Sequence, residues 1–261
     1  MANSDMSNNP EDNENSSGKE MPFLEHLEEL RWRIIKAVIG LVIGSAIAGI
    51  FINWIVKNIL FAPAANTNPP LTIINLKPYG QFLLYMQVII ICGLIISLPN
   101  VFYQFWKFIE PALKPNERKY ITSIVFFTTF CFLGGLVFAY FLLLPAALGF
   151  FANFGSESLI KDTIAVNEYL GFIISLIVGA GVVFELPMIS FFLSKLGILT
   201  PKFMRKYRRH AIVIILLIAG IVTPGPDITS QLLLGIPLLL LYEISILISK
   251  YAQKNKLPKT I

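Results

Sequence analysis

Apolar and polar residues fall in long blocks along this chain, and six apolar blocks are separated by stretches that hold most of the charge. The first, Ala37 to Val56, has twenty residues without a charge, enough helix to cross about 30 Å of hydrocarbon. The second begins after Pro78 and reaches about Leu98, where Pro99 is expected to end or kink it. The third covers about Ile121 to Leu144 and is expected to stop near Pro145. The fourth covers about Tyr169 to Leu193 and contains Glu185 and Pro187. The fifth, Ala211 to Val222, and the sixth, about Ile228 to Ile248, flank the breaker Thr223-Pro224-Gly225-Pro226-Asp227. Even extended to Pro226, the fifth block has sixteen uncharged residues, or about 24 Å of helix. Such a span thins the bilayer or sits tilted within protein. The pattern predicts an all-α integral membrane protein of six transmembrane helices, the fifth and sixth short.

Charge sets the orientation. Of the 21 Lys and Arg residues, eighteen lie in the N-terminal region, the second-to-third and fourth-to-fifth connections, and the C-terminal tail. Only Lys57, Lys77 and Lys161 lie in the other connections. Positive charge is retained on the cytoplasmic side, so both termini are expected there. The connections Lys57 to Pro78 and Pro145 to Glu168 are then extracytoplasmic. The prolines of the first favour a stiff, extended path, and the second reads as an interfacial cap. Residues 1–20 are polar and aperiodic, which predicts a disordered cytoplasmic tail. Residues 21–250 form the membrane domain and 251–261 a second cytoplasmic tail. No cleaved signal peptide is expected.

Composition narrows the function. The chain is 55% hydrophobic and 14% charged, with a mean hydropathy of +0.69, whereas a soluble domain carries about 25% charged residues. A soluble enzyme, a disordered hub and a disulfide scaffold are excluded. Cys92 and Cys131 sit in apolar runs and read as small buried hydrophobes. His26 and His210 lie in separate segments, too few for a His-based metal site or a catalytic triad. Ser17-Gly18-Lys19 lacks the upstream glycine of a phosphate loop. No catalysis, cofactor or metal is expected. The net charge of +5 follows membrane topology and implies no nucleic acid.

Two charged segments and one intramembrane acid stand out. In Phe23-Leu24-Glu25-His26-Leu27-Glu28-Glu29-Leu30-Arg31, Phe23, Leu27 and Leu30 form an apolar stripe at helical spacing. Glu25 with Glu29, and Glu28 with Arg31, share other faces. The segment reads as a solvated amphipathic lead-in to the first span, or as an acidic surface awaiting a cation. Phe108 to Lys119 lies on the same side of the membrane and contains Glu117. That acid suits a helix N-terminus, but two well-placed carboxylates also grip two guanidinium groups by bidentate bonds, which Lys does not imitate. The sequence does not show that the two segments meet. Glu185, in Phe184-Glu185-Leu186-Pro187, is costly inside a membrane and must face a cavity, find a partner or be protonated; packing at a Pro187 kink is the plainer reading. Asp227 suits a cap of the sixth helix, Gln231 one turn on suits a bond to another helix, and Glu243 is expected to reach interfacial water.

In their order on six spans, these pieces resemble the TatC family, the multispanning subunit of the twin-arginine protein translocase. The resemblance runs from about Pro22 to Tyr251 and rests on His26 to Arg31, Phe108 to Lys119, Phe138-Ala139-Tyr140-Phe141, Phe184 to Pro187, and Thr223 to Asp227 with Ser230-Gln231. It implies that Glu29 and Glu117 contact the paired arginines of a folded cargo's signal peptide, lined by Phe108 and supported by Arg31 and Arg118. Glu185 would be the polar group of a concave membrane face, and Thr223, Gln231 and Asp227 would belong to the region where TatA- and TatB-type single-span partners dock. Pro63 and Tyr140 would support the extracytoplasmic cap. Asn116-Glu117-Arg118-Lys119 stands where many relatives carry His-Glu-Arg-Arg, so Glu117 and Arg118 are the positions that transfer. The resemblance further implies a homo-oligomer within a complex in a bacterial cytoplasmic (inner) membrane, driven by the proton-motive force. Two readings of other classes stay open: a proton- or cation-coupled secondary transporter using Glu185, and, with less support, a membrane enzyme.

Overall fold

The computed structural model describes residues 23–112, 118, 121–153, 163–222 and 228–254, apart from the side chains at 23–24, 112, 221–222, 229–230, 233–234 and 254. The N-terminal tail, Glu117, Thr223 and Asp227 lie outside the described residues.

Helix α1 (Phe23–Ile50) is one element of 28 residues. The amphipathic stretch and the first span are therefore continuous, with no proline between them. Its main partner is α4 (Gly80–Ile109). Gly40, Gly44 and Ala48 recur every four residues on α1 and make a shallow trough. A Cβ on Gly44 would stand 2.5 Å from the Gly93 carbonyl oxygen, and one on Gly93 would strike Ser45. The two backbones touch there. Lipid supplies no hydrophobic drive for helix pairing, so close approach of small residues takes its place.

Between these helices the chain forms α2 (Ile52–Ile55), a widened π turn (Val56–Leu60), α3 (Ala62–Ala65) and strand β1 (Thr72–Ile74). After α4 comes α5 (Ile121–Phe138), a second π turn (Ala139–Leu143) and α6 (Leu144–Asn153). Tyrosines tie the two regions: Tyr140 Oη donates to the Ile59 carbonyl at 3.0 Å and Tyr169 Oη to the Leu60 carbonyl at 2.7 Å. The first wide turn thus has its carbonyls met by side chains from two other helices.

Two expected stops are overturned. Pro99 lies inside α4, which continues to Ile109; one missing ladder bond is outweighed by packing against α1 and α5. Pro145 does not stop the third span either. It is the second residue of α6 within the continuous helical stretch Ile121–Asn153, directly after the π turn, and such a local π adjustment lets a membrane helix carry a proline.

The expectation of helices alone also needs correction. Strand β1 pairs in parallel with β2 (Thr163–Ala165) in the register Thr72↔Thr163, Ile73↔Ile164 and Ile74↔Ala165. Thr-Ile-Ile and Thr-Ile-Ala are β-branched tripeptides suited to a pleat, but three residues carry no legible period. The ribbon joins the two connections that were expected to form a cap.

Helix α7 (Val166–Val183) follows β2 directly, and α8 (Leu186–Leu196) succeeds it after a break. Then come α9 (Pro201–Lys206), α10 (Arg208–Val222) and α11 (Ile228–Lys254). The described part of α10 has 15 residues, about 22 Å of helix. Helix α11 has 27 residues and carries Pro237 within it; its membrane-length apolar part, Gly235–Gln253, is with 19 residues the shortest such stretch among the described residues. Serines spaced by four, Ser190 and Ser194 on α8 and Ser245 and Ser249 on α11, are buried between these two helices. Ser194 Oγ and Ser249 Oγ are 2.6 Å apart and wholly inaccessible.

The largest core lies around Leu144, Leu148, Tyr169, Leu170 and Leu176, below the joined connections. Outward, the helices expose Val42, Ile43, Phe126, Phe130, Leu217, Leu240 and Leu247. An apolar outside, with small and polar residues such as Gly44, Gly93, Ser194 and Ser249 where helices touch, is arranged for lipid as solvent. Among the described residues, five helical stretches are long and apolar enough to cross a membrane: Glu25–Ile50, Gly80–Ile109, Ile121–Asn153, Val166–Leu196 and Gly235–Gln253.

Candidate functional site

The start of α1 and the end of α4 meet. The ring of Phe108 stacks on that of His26 with centroids 4.3 Å apart and planes inclined by 16°. One turn along α1, Glu29 Oε1 accepts from Arg33 Nη2 at 2.9 Å. Arg33 Nη1 donates to Gln104 Oε1 at 3.3 Å, Gln104 Nε2 to Asn100 Oδ1 at 3.3 Å, and Asn100 Nδ2 to the Lys36 carbonyl at 3.1 Å. This polar ladder fixes the helices where the glycine trough ends.

Glu29 Oε2 is buried and has no hydrogen-bond partner among the described residues. Leaving a buried carboxylate oxygen unmet costs roughly 1–3 kcal/mol or more. Arg33 was missed in the sequence, although its spacing of four from Glu29 was the signal for an ion pair. Arg31, picked out instead, is exposed and lies 5.5 Å over the Trp32 ring. Arg118 is exposed and donates to the Pro111 carbonyl at 3.2 Å, beside the Lys107–Glu110 pair at 2.7 Å. The structure therefore brings His26, Glu29, Arg33, Gln104 and Phe108 together and leaves Arg31 outside that group.

Glu185 occupies the break between α7 and α8. Phe184 N donates to the Ala180 carbonyl, Glu185 N to the Val182 carbonyl, and the ladder resumes with Ile189 N to the Glu185 carbonyl. Pro187 falls in the first turn of α8, where its missing N–H is harmless; the expected discontinuity is present. Glu185 is only 8% exposed, and its Oε1 lacks a partner among the described residues. Helix α5 comes very close here, since a Cβ on Gly135 would stand 2.9 Å from the Phe184 Cβ.

The remaining predicted positions are distributed. Gln231 Nε2 donates to the Leu216 carbonyl at 2.8 Å, tying α11 to α10 within the chain. Pro63 and Tyr140 line one cavity of about 490 Å³ between α3 and α6. Glu243 pairs with Arg208 at 2.6 Å and is partly exposed. An apolar groove of about 660 Å³ runs along Phe51, Trp54, Ile55, Ile59, Cys92 and Ile95. Glu185 is not among the residues that line it.

Long helices with apolar exteriors, small-residue contacts and polar ladders at their ends define a polytopic α-helical membrane protein, and comparison with known proteins narrows the class. Residues 25–237 match the family model of the Sec-independent protein translocase protein (TatC). The chain is 38% identical over 237 residues to the TatC of Aquifex aeolicus, covering 90% of this chain and 98% of that one. To the TatC of Carboxydothermus hydrogenoformans it is 38% identical over 238 residues, covering 91% and 96%. A crystal structure described as the twin-arginine translocase receptor TatC superimposes with a TM-score of 0.74 at 38% identity, over 87% of this chain and 99% of that one. The chain belongs to the TatC family and is a component of the Sec-independent protein translocase.

Proposed function

We propose that this chain is the receptor of a twin-arginine translocase, gripping the paired arginines of a cargo's signal peptide with Glu29 and Glu117 at the cytoplasmic face. The observation that carries this reading is Glu29, with one oxygen on Arg33 and the other buried and without a partner among the described residues, a turn from the stacked His26–Phe108 pair. A guanidinium supplies the missing donor in planar geometry, whereas an ammonium presents a point charge. Phe108 lines the site, Arg118 supports the loop that carries Glu117, and Arg31 acts on its rim. The peptide's apolar stretch enters the groove along Ile55, Ile59 and Cys92.

In this reading the chain crosses a bacterial inner membrane six times with both termini in the cytoplasm, and α10 is the fifth span. The joined connections around β1 and β2 form the extracytoplasmic cap, supported by Pro63 and Tyr140. Single-span partners of the TatA and TatB type dock on the last two spans near Thr223, Asp227 and Gln231. Glu185 is the polar group inside the membrane face. Copies of the chain assemble in one complex, and the proton-motive force drives export of folded cargo. Family membership favours this receptor over a solute transporter working through Glu185. The direct test is binding of a twin-arginine signal peptide to membranes carrying Glu29→Ala. Binding should be lost while insertion stays intact, and unchanged binding removes the assignment.

A further inference from the structure

The connection between α8 and α10 carries a cationic and aromatic surface that neither the receptor reading nor the helix packing uses. It is built as a rigid shelf. Gly197, with φ of 84°, closes α8, and Ile198 N and Leu199 N both donate to the Leu193 carbonyl. Thr200 caps α9 through Phe203 N. Three bonds to α11 hold the shelf down: Gln253 Nε2 to the Leu199 carbonyl at 3.0 Å, Tyr242 Oη to the Met204 carbonyl at 2.8 Å, and Arg208 to Glu243 at 2.6 Å. Met204 faces inward and is buried.

The other side of the shelf is exposed. Lys202, Phe203, Arg205, Lys206, Tyr207 and Arg209 all face outward. Phe203 and Tyr207 pack with centroids 4.5 Å apart, and Lys206 lies 5.7 Å over the Tyr207 ring. Among the described residues, Lys202, Arg205 and Arg209 have no carboxylate partner.

We propose that α9 and the first turn of α10 form a binding site for anionic phospholipid headgroups. The shelf joins the ends of two apolar helices, so it lies at the boundary between hydrocarbon and headgroups, where lipid phosphates are concentrated. Aromatic rings settle at that level, and Lys and Arg stems reach along apolar surface to place their charge beyond it. Phe203, Tyr207 and the exposed Ile198 suit acyl chains near the glycerol. An acidic protein would explain the cations but not this apolar apron. Each cation near an anionic membrane surface strengthens binding roughly fivefold.

The test is native mass spectrometry of the full chain released from bilayers holding equal phosphatidylglycerol and phosphatidylcholine. The unaltered chain should retain phosphatidylglycerol preferentially. Lys202→Gln with Lys206→Gln should lower that retention by about tenfold or more. Lys202→Arg with Lys206→Arg should preserve it, and so should Lys57→Gln with Lys77→Gln, which removes the same charge elsewhere. Equal retention of the two lipids by the unaltered chain overturns the proposal, as does an equal loss in both glutamine pairs. Undiminished retention in the shelf pair also overturns it and redirects the cations to an acidic protein partner.

Discussion

Phe108 lies face to face with His26 at 4.3 Å, and this contact joins the end of α4 to the start of α1, where one buried oxygen of Glu29 has no partner among the described residues. The stacking fastens the two segments together beside Glu29, where the α1–α4 crossing has brought them. Phe108→Ala should weaken signal-peptide binding at least several-fold, since a well-placed ring pair contributes about 0.5–1.5 kcal/mol. Phe108→Tyr should keep most of it. Binding measured on membranes with equal amounts of inserted protein separates the two outcomes.

The glycine trough yields a contrast within one molecule. Gly44→Ala puts a methyl group 2.5 Å from the Gly93 carbonyl oxygen, whereas a Cβ at Gly134 meets nothing within 4 Å. Gly44→Ala should destabilise the bundle by about 1–3 kcal/mol. Gly134→Ala should be neutral or mildly stabilising, because alanine favours the helix by up to about 1 kcal/mol. Reversible unfolding in mixed detergent micelles reads both.

Tyr169 and Tyr140 each donate to a carbonyl of the same wide turn, but Tyr169 is 1% exposed and Tyr140 is partly open. Tyr169→Phe should cost about 1–3 kcal/mol, because the Leu60 carbonyl is left unmet in a dry core. Tyr140→Phe should cost less, since water reaches its side. The difference is measurable by the same unfolding assay.

Ser194 and Ser249 form a closed pair with no water access. Removing either hydroxyl orphans the other, so Ser194→Ala and Ser249→Ala should each destabilise while the double variant recovers part of the loss. A double-mutant cycle should return a coupling of roughly 0.6 kcal/mol, up to about 1.7. Additive losses would contradict the bond.

Much of this architecture is legible along the chain, because uncharged blocks long enough to span hydrocarbon announce themselves by length alone. The break at Glu185 was readable from Pro187. Glu29 was readable as a candidate, and Arg33 stood four residues on without being weighed as its partner. Pro99 and Pro145 misled because a proline stops a helix only where neither packing nor a local π turn compensates for its missing N–H. The parallel pairing of β1 with β2 was beyond reach, since three-residue strands far apart in sequence have no period to detect. The His26–Phe108 contact was likewise invisible, because it depends on how α1 lies against α4, and that crossing is set by Gly44 and Gly93 rather than by the rings.

The receptor claim rests on two carboxylates reading guanidinium geometry. Photocrosslinking from a twin-arginine signal peptide, carrying the photoreactive group beside its arginine pair, to the unaltered chain in membranes, with a twin-lysine peptide as control, tests it most directly. Crosslinks to both the 23–31 and the 108–119 segments are expected, and they should vanish when the arginines become lysines. Crosslinks that persist with lysines, or none to an inserted chain, would contradict the claim.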